Sequence, residues 1–332
     1  MWSGCCGSAF TIEVAASPTS HPVPSQNHPD GEYKRPAPTA GSTTETAAME
    51  PPTHMSDRGS HRHGAQAACA CPAALGQDHR AAAVEGQIFP LDMALDSVDD
   101  LYMGCREKMA NLVKTKFLKD ELKSPDFKIV WKKGEEFAKP PNDNLIKDHA
   151  IAIFVYSDVS VYKHFNPDTR SDKDQYKNMT YKWYSLHFLL TDAIQILKKT
   201  QNQCYSTFRG TNVEFYKYVL NKEVRFGSFT SSSLDHKSTR RFGNVSCFEI
   251  YTCEGADVTK YSKLPHEKEV LIPPYEKFKV THVKTKEEQK DLWCETVFTL
   301  KSSGIRSDLN CAVAFKKPSK NKTKYYILKS VL

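Results

Sequence analysis

The sequence predicts an α+β domain in which helices come first and a mixed, mainly antiparallel β core follows. Between residues 99 and 199, apolar side chains recur every three or four positions, which is the period of one helix face. From Cys204 onward they tend to alternate, which is the period of a β-strand. Helices collected ahead of the strands, rather than alternating with them, are typical of the α+β class.

The helical half is predicted to hold three helices and one short strand. The helices cover residues 99–122, 125–139 and 182–199, and the last is the clearest because its apolar residues form one continuous face. Residues 150–157, AIAIFVYS, form an apolar run of strand length, so we expect a strand there. Seven strand-like segments follow, separated by polar or turn-rich links: CYSTFRG, VRFGSFTSS, VSCFEIYTC, EVLIP, EKFKVTHV, WCETVFTLK and NCAVAFK.

Composition divides the chain near residue 87. Residues 1–87 are rich in Pro, Ala, Ser, Thr, His and Gly and contain only three aromatic side chains. So little apolar surface cannot offset the cost of ordering the backbone, about 1–2 kcal/mol per residue. We therefore expect a disordered low-complexity tail at 1–87, one domain at 88–318 and a short C-terminal extension at 319–332.

Charge divides at the same place. The tail holds five Lys or Arg against eight Asp or Glu, which leaves 41 against 31 for the rest of the chain. A domain of net charge +10 can attract nucleic acid, an anionic membrane or a phosphorylated small molecule. The basic residues are scattered without a long run, so a solvated surface is the simpler interpretation and no nucleic-acid partner is expected.

The cysteines favour disulfides over zinc. Six of them are spread through the expected domain without a CxxC pair, whereas zinc usually takes closely spaced ligands. The sequence HRH at 61–63, with Cys69 and Cys71, is a weak metal pattern in a segment without predicted structure. We predict no metal site, and the spacing alone leaves the disulfide pairing open.

Three Asn-x-Ser/Thr glycosylation candidates, together with the cysteines, favour an oxidising, secretory compartment. They are Asn178, Asn244 and Asn321. The first residues lack the basic start and apolar core of a signal peptide, and the last are too short for a lipid-anchor signal. No apolar run of about 18 residues predicts a membrane span. A secreted or extracellular protein is expected, by a route that the sequence does not identify.

The stretch PHEKEVLIPPYEKF contains two acids, Glu267 and Glu269, on either side of Lys268. If a strand begins at about Glu267, the two carboxylates share one face roughly 6.6 Å apart, and Lys268 points the other way. Neighbouring carboxylates repel, which tends to raise the pKa of one of them and lets the two divide chemical duties. Taken alone, a charged strand edge is the simpler interpretation.

Two other segments carry polar groups at predicted strand ends. Arg209 and Gly210 close one strand, where an arginine can hold a phosphate bidentately and a glycine lets a ligand approach the backbone. Ser231 begins a run of three serines near the end of another strand, where hydroxyls can orient a carboxylate or bond to sugar oxygens.

In this order, these elements resemble the vertebrate arginine-specific ecto-mono-ADP-ribosyltransferase family, whose signature is Arg…Ser…Glu-x-Glu. The resemblance covers roughly residues 91–315. The matching blocks are DDLYMGC, AIAIFVYS, YSLHFLLTDAIQIL, FRGTN, VRFGSFTSSSLD, RFGN, EIYTCEGADV, EKEVLIPPYEKFKV and NCAVAF. The resemblance implies the fold of that family, with N-terminal helices packed on a two-sheet β core.

The resemblance also implies a role for each signature residue. Arg209 matches the arginine that grips NAD, and Gly210 matches the glycine whose backbone meets the nicotinamide amide. Ser231 matches the catalytic serine and Glu269 the invariant catalytic glutamate. Glu267 matches the upstream glutamate that is associated with arginine as the acceptor.

Further implied contacts lie outside the signature. Tyr156 and Ser262 fall where family members contact NAD, and Ser228 stands where the family often has glutamine. Cys105–Cys311 and Cys204–Cys253 match the two bridges of the family. Cys247 and Cys294 remain, either paired with each other or free.

The leading interpretation is therefore an enzyme that moves ADP-ribose from NAD to arginine side chains of acceptor proteins and releases nicotinamide, with NADP as a related dinucleotide. NAD is expected as a co-substrate without a metal, and the chain is expected to act as a monomer. Two alternatives stay open: an NAD glycohydrolase, in which water replaces arginine on the same site, and an inactive secreted or cell-surface binding protein.

Overall fold

The computed structural model describes residues 87–316. The first part of this range is helical. The helices are α1 (Arg106–Leu112), a π-helical segment (Val113–Phe117), α2 (Leu118–Glu121), α3 (Pro125–Phe137), α4 (Lys147–Tyr156), α5 (Val159–Ser171), α6 (Lys173–Lys177) and α7 (Tyr184–Gln201). The expected tail and C-terminal extension lie almost wholly outside the described residues, so those boundaries stay predictions, as does any role of the histidines and cysteines at 61–71.

The strands follow, with one short helix and two 3₁₀ turns among them. They are β1 (Ile88–Phe89), β2 (Tyr205–Thr211), β3 (Glu214–Phe215), β4 (Glu223–Val224), β5 (Thr230–Ser233), β6 (Ser246–Thr252), β7 (Ala256–Asp257), β8 (Glu269–Ile272), β9 (Glu276–Thr285) and β10 (Thr296–Ile305). Helix α8 is His236–Thr239, and the 3₁₀ turns are Arg240–Phe242 and Pro265–Glu267.

The main sheet has the strand order β4-β9-β10-β6-β2-β5-β8-β7. Its neighbours are antiparallel except for β6 and β10, so the predicted mixed, mainly antiparallel α+β core is confirmed. Strands β2 and β5 pair through a single residue couple, Phe208 and Ser233. This narrow joint divides the sheet into a five-stranded and a three-stranded part, and the candidate site lies beside it.

Helix α7 matches its sequence pattern. Its apolar stripe is fully buried in the helical core, and Asn202 ends the helix in the left-handed conformation with φ +46°. Strand β8 and the segment before β5 reach into the same core through Leu271 and Phe229. The three-stranded part is therefore fixed to the helices by apolar burial, which is the dominant favourable term in folding.

Two predicted strands were wrong. Residues 150–156 belong to helix α4, whose residues His149–Tyr156 are all buried, and Ser157 caps its C-terminus. A helix that is enclosed on every side needs no polar face, so its sequence shows no 3.6-residue period. A short apolar run of this kind cannot be distinguished from a buried strand by its pattern. Residues 310–316 form turns rather than a strand, and Cys311 takes a left-handed backbone there.

Three disulfides join cysteines within the described residues. Cys105–Cys311 and Cys204–Cys253 are the pairings that the resemblance implies, and Cys247 is bonded to Cys294, which answers the question that spacing left open. Of the sequons, Asn178 and Asn244 are exposed, whereas Asn321 lies outside the described residues.

Candidate active site

Glu269 is the first residue of β8, and both of its carboxylate oxygens accept hydrogen bonds from serines. Ser231 Oγ donates to Oε1 at 2.5 Å, and Ser262 Oγ donates to Oε2 at 3.2 Å. Ser231 reaches it because β5 and β8 are antiparallel with Ser233 opposite Glu269, which makes Ser231 a diagonal neighbour on the same face. The carboxylate is buried and held from two directions.

The end of α4 supports both serines. Tyr156 Oη lies 3.3 Å from Ser231 Oγ and donates to the carbonyl of Phe229 at 3.1 Å. Ser157 Oγ lies 3.1 Å from Ser262 Oγ and donates to the Ile153 carbonyl. The hydroxyls around Glu269 thus form one connected network, which keeps the carboxylate in a single orientation.

Arg209 joins the same cluster from β2. Its guanidinium is buried, and Nη1 donates to the Ser231 carbonyl at 2.7 Å. Strand β2 brings it there because β2 and β5 meet at the joint between the two parts of the sheet. The structure therefore brings Arg209, Ser231 and Glu269 together.

Glu267 reaches the cluster by a different geometry from the one predicted. It ends the 3₁₀ turn Pro265–Glu267, Lys268 follows with φ +48°, and β8 begins only at Glu269. The predicted arrangement of two carboxylates on one strand face was wrong, because the left-handed residue between them breaks the alternation.

The two carboxyls nevertheless interact. Burial raises the pKa of Glu267 to about 7, with the charge of Glu269 adding to the rise and Arg241 opposing it. Neither carboxylate oxygen of Glu267 has a hydrogen-bond partner within residues 87–316. An unsatisfied buried carboxyl is costly, and a guanidinium donating two hydrogen bonds is the group that satisfies it best.

The family model for NAD:arginine ADP-ribosyltransferases matches residues 91–297. This chain belongs to that family. NAD(P)(+)--arginine ADP-ribosyltransferase 2 of Gallus gallus is 36% identical over 231 residues, covering 67% of this chain and 72% of the relative. The GPI-linked NAD(P)(+)--arginine ADP-ribosyltransferase 1 of Homo sapiens is 33% identical over 218 residues, covering 58% of this chain and 66% of the relative.

The crystal structure of the eukaryotic mono-ADP-ribosyltransferase ART2.2 is similar as well. It has a TM-score of 0.56 and 28% sequence identity, and the match covers 67% of this chain and 98% of that one. Structures of ART2.2 mutants hold NADH or NAD. Helices followed by a mixed sheet are thus the ADP-ribosyltransferase fold, as the sequence resemblance implied.

Gly210 has a packing reason to lack a side chain. A Cβ at this position would lie 2.6 Å from the Gly243 carbonyl oxygen and 2.7 Å from that of Thr239. The segment 239–243 therefore rests directly on β2 beside Arg209. The expected approach of a ligand to the Gly210 backbone is a separate matter and stays a prediction.

Ser228 lies on the approach to β5, where its hydroxyl accepts a hydrogen bond from Arg170 Nη1 at 2.7 Å. The family often has glutamine at the position of Ser228, and in this transferase that position is hydrogen-bonded to Arg170 of α5. Ser228 remains a predicted NAD contact, as do Tyr156 and Ser262.

The sequence reasoning missed Ser157, Asn166 and Arg241. Asn166 Nδ2 donates to Tyr156 Oη. The Ser157 hydroxyl contacts that of Ser262, and the Arg241 guanidinium forms an ion pair with Glu267. Ser157 and Arg241 lie in the matching blocks AIAIFVYS and RFGN, so the resemblance could have pointed to them. Asn166 lies in no matching block and reaches the site only through the tertiary fold.

Proposed function

We propose that this chain transfers ADP-ribose from NAD to the guanidinium of protein arginines and releases nicotinamide. The observation that carries the proposal is the paired arrangement of the acids: Glu269 is fixed by two serines, and Glu267 is buried beside it with its oxygens unsatisfied. The family's name and the arginine-specific relatives support the same reaction.

Breaking the bond between nicotinamide and ribose leaves a cationic, oxocarbenium-like sugar. A carboxylate held in one orientation is aimed at that developing charge without having to reorganise, which is the most effective form of electrostatic stabilisation. Glu269 fits this role, Ser231 and Ser262 hold it in place, and Arg209 offers the cation for the pyrophosphate of NAD.

The acceptor is a difficult nucleophile because its guanidinium is protonated at any ordinary pH. A carboxylate can pair with it, orient one nitrogen and accept the proton as the new bond forms. Glu267 suits this task, since a pKa of about 7 makes it a far better base than an ordinary carboxylate.

We infer an extracellular site of action for one chain acting alone. Disulfides within the described residues favour an oxidising compartment, and the human relative is named as GPI-linked. In residues 87–316 no helix is long and apolar enough for a membrane crossing. The signature side chains Arg209, Ser231 and Glu269 lie together within one chain, which supports the expectation of a monomer.

The test is to incubate the purified full chain with NAD and agmatine, a small guanidine, and to follow both nicotinamide and ADP-ribosyl-agmatine. We expect both products, and a loss on the order of 10²–10³ in rate for Glu269→Gln. Glu223→Gln, at an exposed acid paired with Lys277, is the matched control and should retain the wild-type rate. Nicotinamide release without an agmatine product would indicate the glycohydrolase instead.

Glu267→Gln separates the two halves of the reaction. We expect it to depress transfer to agmatine more than tenfold while much of the NAD cleavage remains, because the glutamine cannot accept the proton. Equal loss of both products would show that Glu267 does not select the acceptor. Absence of turnover in the wild type would leave only the binding-protein alternative.

A further inference from the structure

The unsatisfied carboxyl of Glu267 faces an arginine of its own chain. Arg241 Nη2 lies 3.6 Å from Glu267 Oε1. Arg241 belongs to the 3₁₀ turn Arg240–Phe242, and the close packing of Gly210 against the backbone of residues 239 and 243 fixes this turn beside the site. An intramolecular guanidinium therefore occupies the place where an acceptor arginine is expected.

The contact between Arg241 and Glu267 is loose. It is an ion pair without a hydrogen bond to either Glu267 oxygen, and 45% of the Arg241 side chain is exposed. The guanidinium also lies over the Phe242 ring, 4.9 Å from its centroid. Because Arg241 is partly exposed and makes no hydrogen bond to Glu267, its side chain can turn toward a reacting sugar without breaking one.

Resting on the proposed function, we propose that Arg241 is an internal acceptor that this enzyme ADP-ribosylates. The bond between ribose C1′ and the nicotinamide nitrogen breaks, and its electron pair leaves with neutral nicotinamide. A nitrogen of the Arg241 guanidinium forms the new bond to C1′ and gives up its proton to Glu267. The step consumes one NAD and needs no other reactant.

Self-modification has a consequence for the acceptor site. An ADP-ribosyl group on Arg241 places a bulky, doubly anionic substituent next to Glu267, where it obstructs another guanidine. The enzyme should therefore lose transfer activity toward agmatine with time when NAD is present without an acceptor.

The experiment is to incubate the full chain with NAD alone and to locate ADP-ribose by intact mass and peptide fragmentation. We expect one ADP-ribosyl group on Arg241, its disappearance in Arg241→Lys, and its retention in the matched control Arg240→Lys. Lysine keeps the charge but lacks the planar guanidinium. Thermal unfolding curves check that both variants fold like the wild type.

Two further measurements sharpen the test. The first-order rate constant of modification should not change over a tenfold range of protein concentration, because the acceptor is in the same chain. Preincubation with NAD should lower later transfer to agmatine at least threefold in the wild type but not in Arg241→Lys.

Several outcomes would overturn the proposal. They are an unmodified Arg241 in a protein that transfers ADP-ribose to agmatine, equal labelling of Arg240 and Arg241, and a rate constant proportional to protein concentration. The first of these leaves the proposed function standing. Failure to modify agmatine as well would remove the proposed function together with this inference.

Discussion

Glu267 and Glu269 are two positions apart but lie in opposite electrostatic settings. Glu269 receives a hydroxyl hydrogen bond on each oxygen, whereas Glu267 receives none within the described residues and has its pKa raised to about 7. Hydrogen bonds to a carboxylate favour its charged form, and burial without them favours the protonated form. This division suits one acid to stabilising a cation and the other to handling a proton.

The pKa of Glu267 predicts a pH dependence for transfer. Below about pH 7 Glu267 is protonated and can neither pair with a guanidinium nor accept its proton, so kcat/KM for agmatine should fall about tenfold per pH unit there and level off above. The rate of NAD cleavage without acceptor should not show this fall below about pH 7. Rate measurements from pH 5 to 9 on the wild type and on Glu267→Gln check this. If kcat/KM for agmatine still falls below about pH 7 in Glu267→Gln, the titrating group is a different residue.

At the scale of elements, the site depends on pieces whose sequence signals are weak. The signature residues could be predicted from the order of the family's matching blocks rather than from strand period, since β5 and β8 are buried at every position and do not alternate. Helix α4 could not be predicted, because complete burial removes the helical repeat of apolar and polar residues. The end of this helix nevertheless supplies Tyr156 and Ser157 to the site. The turn that carries Glu267 could not be predicted either. Only the left-handed backbone of Lys268 keeps Glu267 out of the strand that begins at Glu269, and the sequence does not show that conformation.

The contact between β2 and residues 239–243 makes a prediction about Gly210→Ala. The new Cβ would meet two backbone carbonyl oxygens at 2.6 and 2.7 Å, so the turn carrying Arg241 has to move. We expect a loss of about 1–3 kcal/mol in the free energy of unfolding. Gly134→Ala is the comparison: its Cβ would meet a methyl of the buried, β-branched Ile151 at 2.9 Å, so it also costs stability but does not displace the turn that carries Arg241.

Denaturant titration of Gly210→Ala and Gly134→Ala measures the loss in the free energy of unfolding that each substitution causes. A Gly210→Ala protein as stable as the wild type, but unable to bind NAD, would contradict the packing argument. It would show instead that the glycine serves the approach of the ligand.

At the scale of the whole molecule, the described domain buries several acids whose pKa is raised. Burial raises the pKa of Asp100 to about 6 and that of Glu121 to about 8, in addition to Glu267. In Asp308, hydrogen bonds from Arg306 and Lys173 lower the pKa to about 2. These groups lie far apart in sequence, so composition alone could not predict that protonated acids would be part of the folded domain.

The raised values predict that stability falls as pH rises. A carboxyl with a raised folded pKa keeps its proton where the unfolded chain has already released it, so the unfolded state binds fewer protons between about pH 4.5 and 8. Stability from these groups is complete at the lower end and is lost as pH passes through their folded pKa values. Two groups act in the opposite direction: Asp308 below about pH 4, and the buried His187, whose pKa is lowered to about 4, between about pH 4 and 6.5. The three carboxyls together outweigh His187 above about pH 5. We therefore expect Tm to be highest near pH 5 and to decline toward pH 8.

Glu121→Gln tests which group is responsible. Glu121 Oε1 accepts a hydrogen bond from the Ser185 N–H at 2.7 Å, which a glutamine oxygen can also do, while the other oxygen is buried without a partner in residues 87–316. The substitution removes the titration but keeps the shape, so Tm should decline less between pH 5 and 8 than in the wild type. Glu135→Gln, at an exposed position of α3, is the control and should decline as the wild type does. Parallel Tm profiles for wild type and Glu121→Gln would show that the buried proton on Glu121 makes no contribution, and would leave Asp100 and Glu267 to account for any decline.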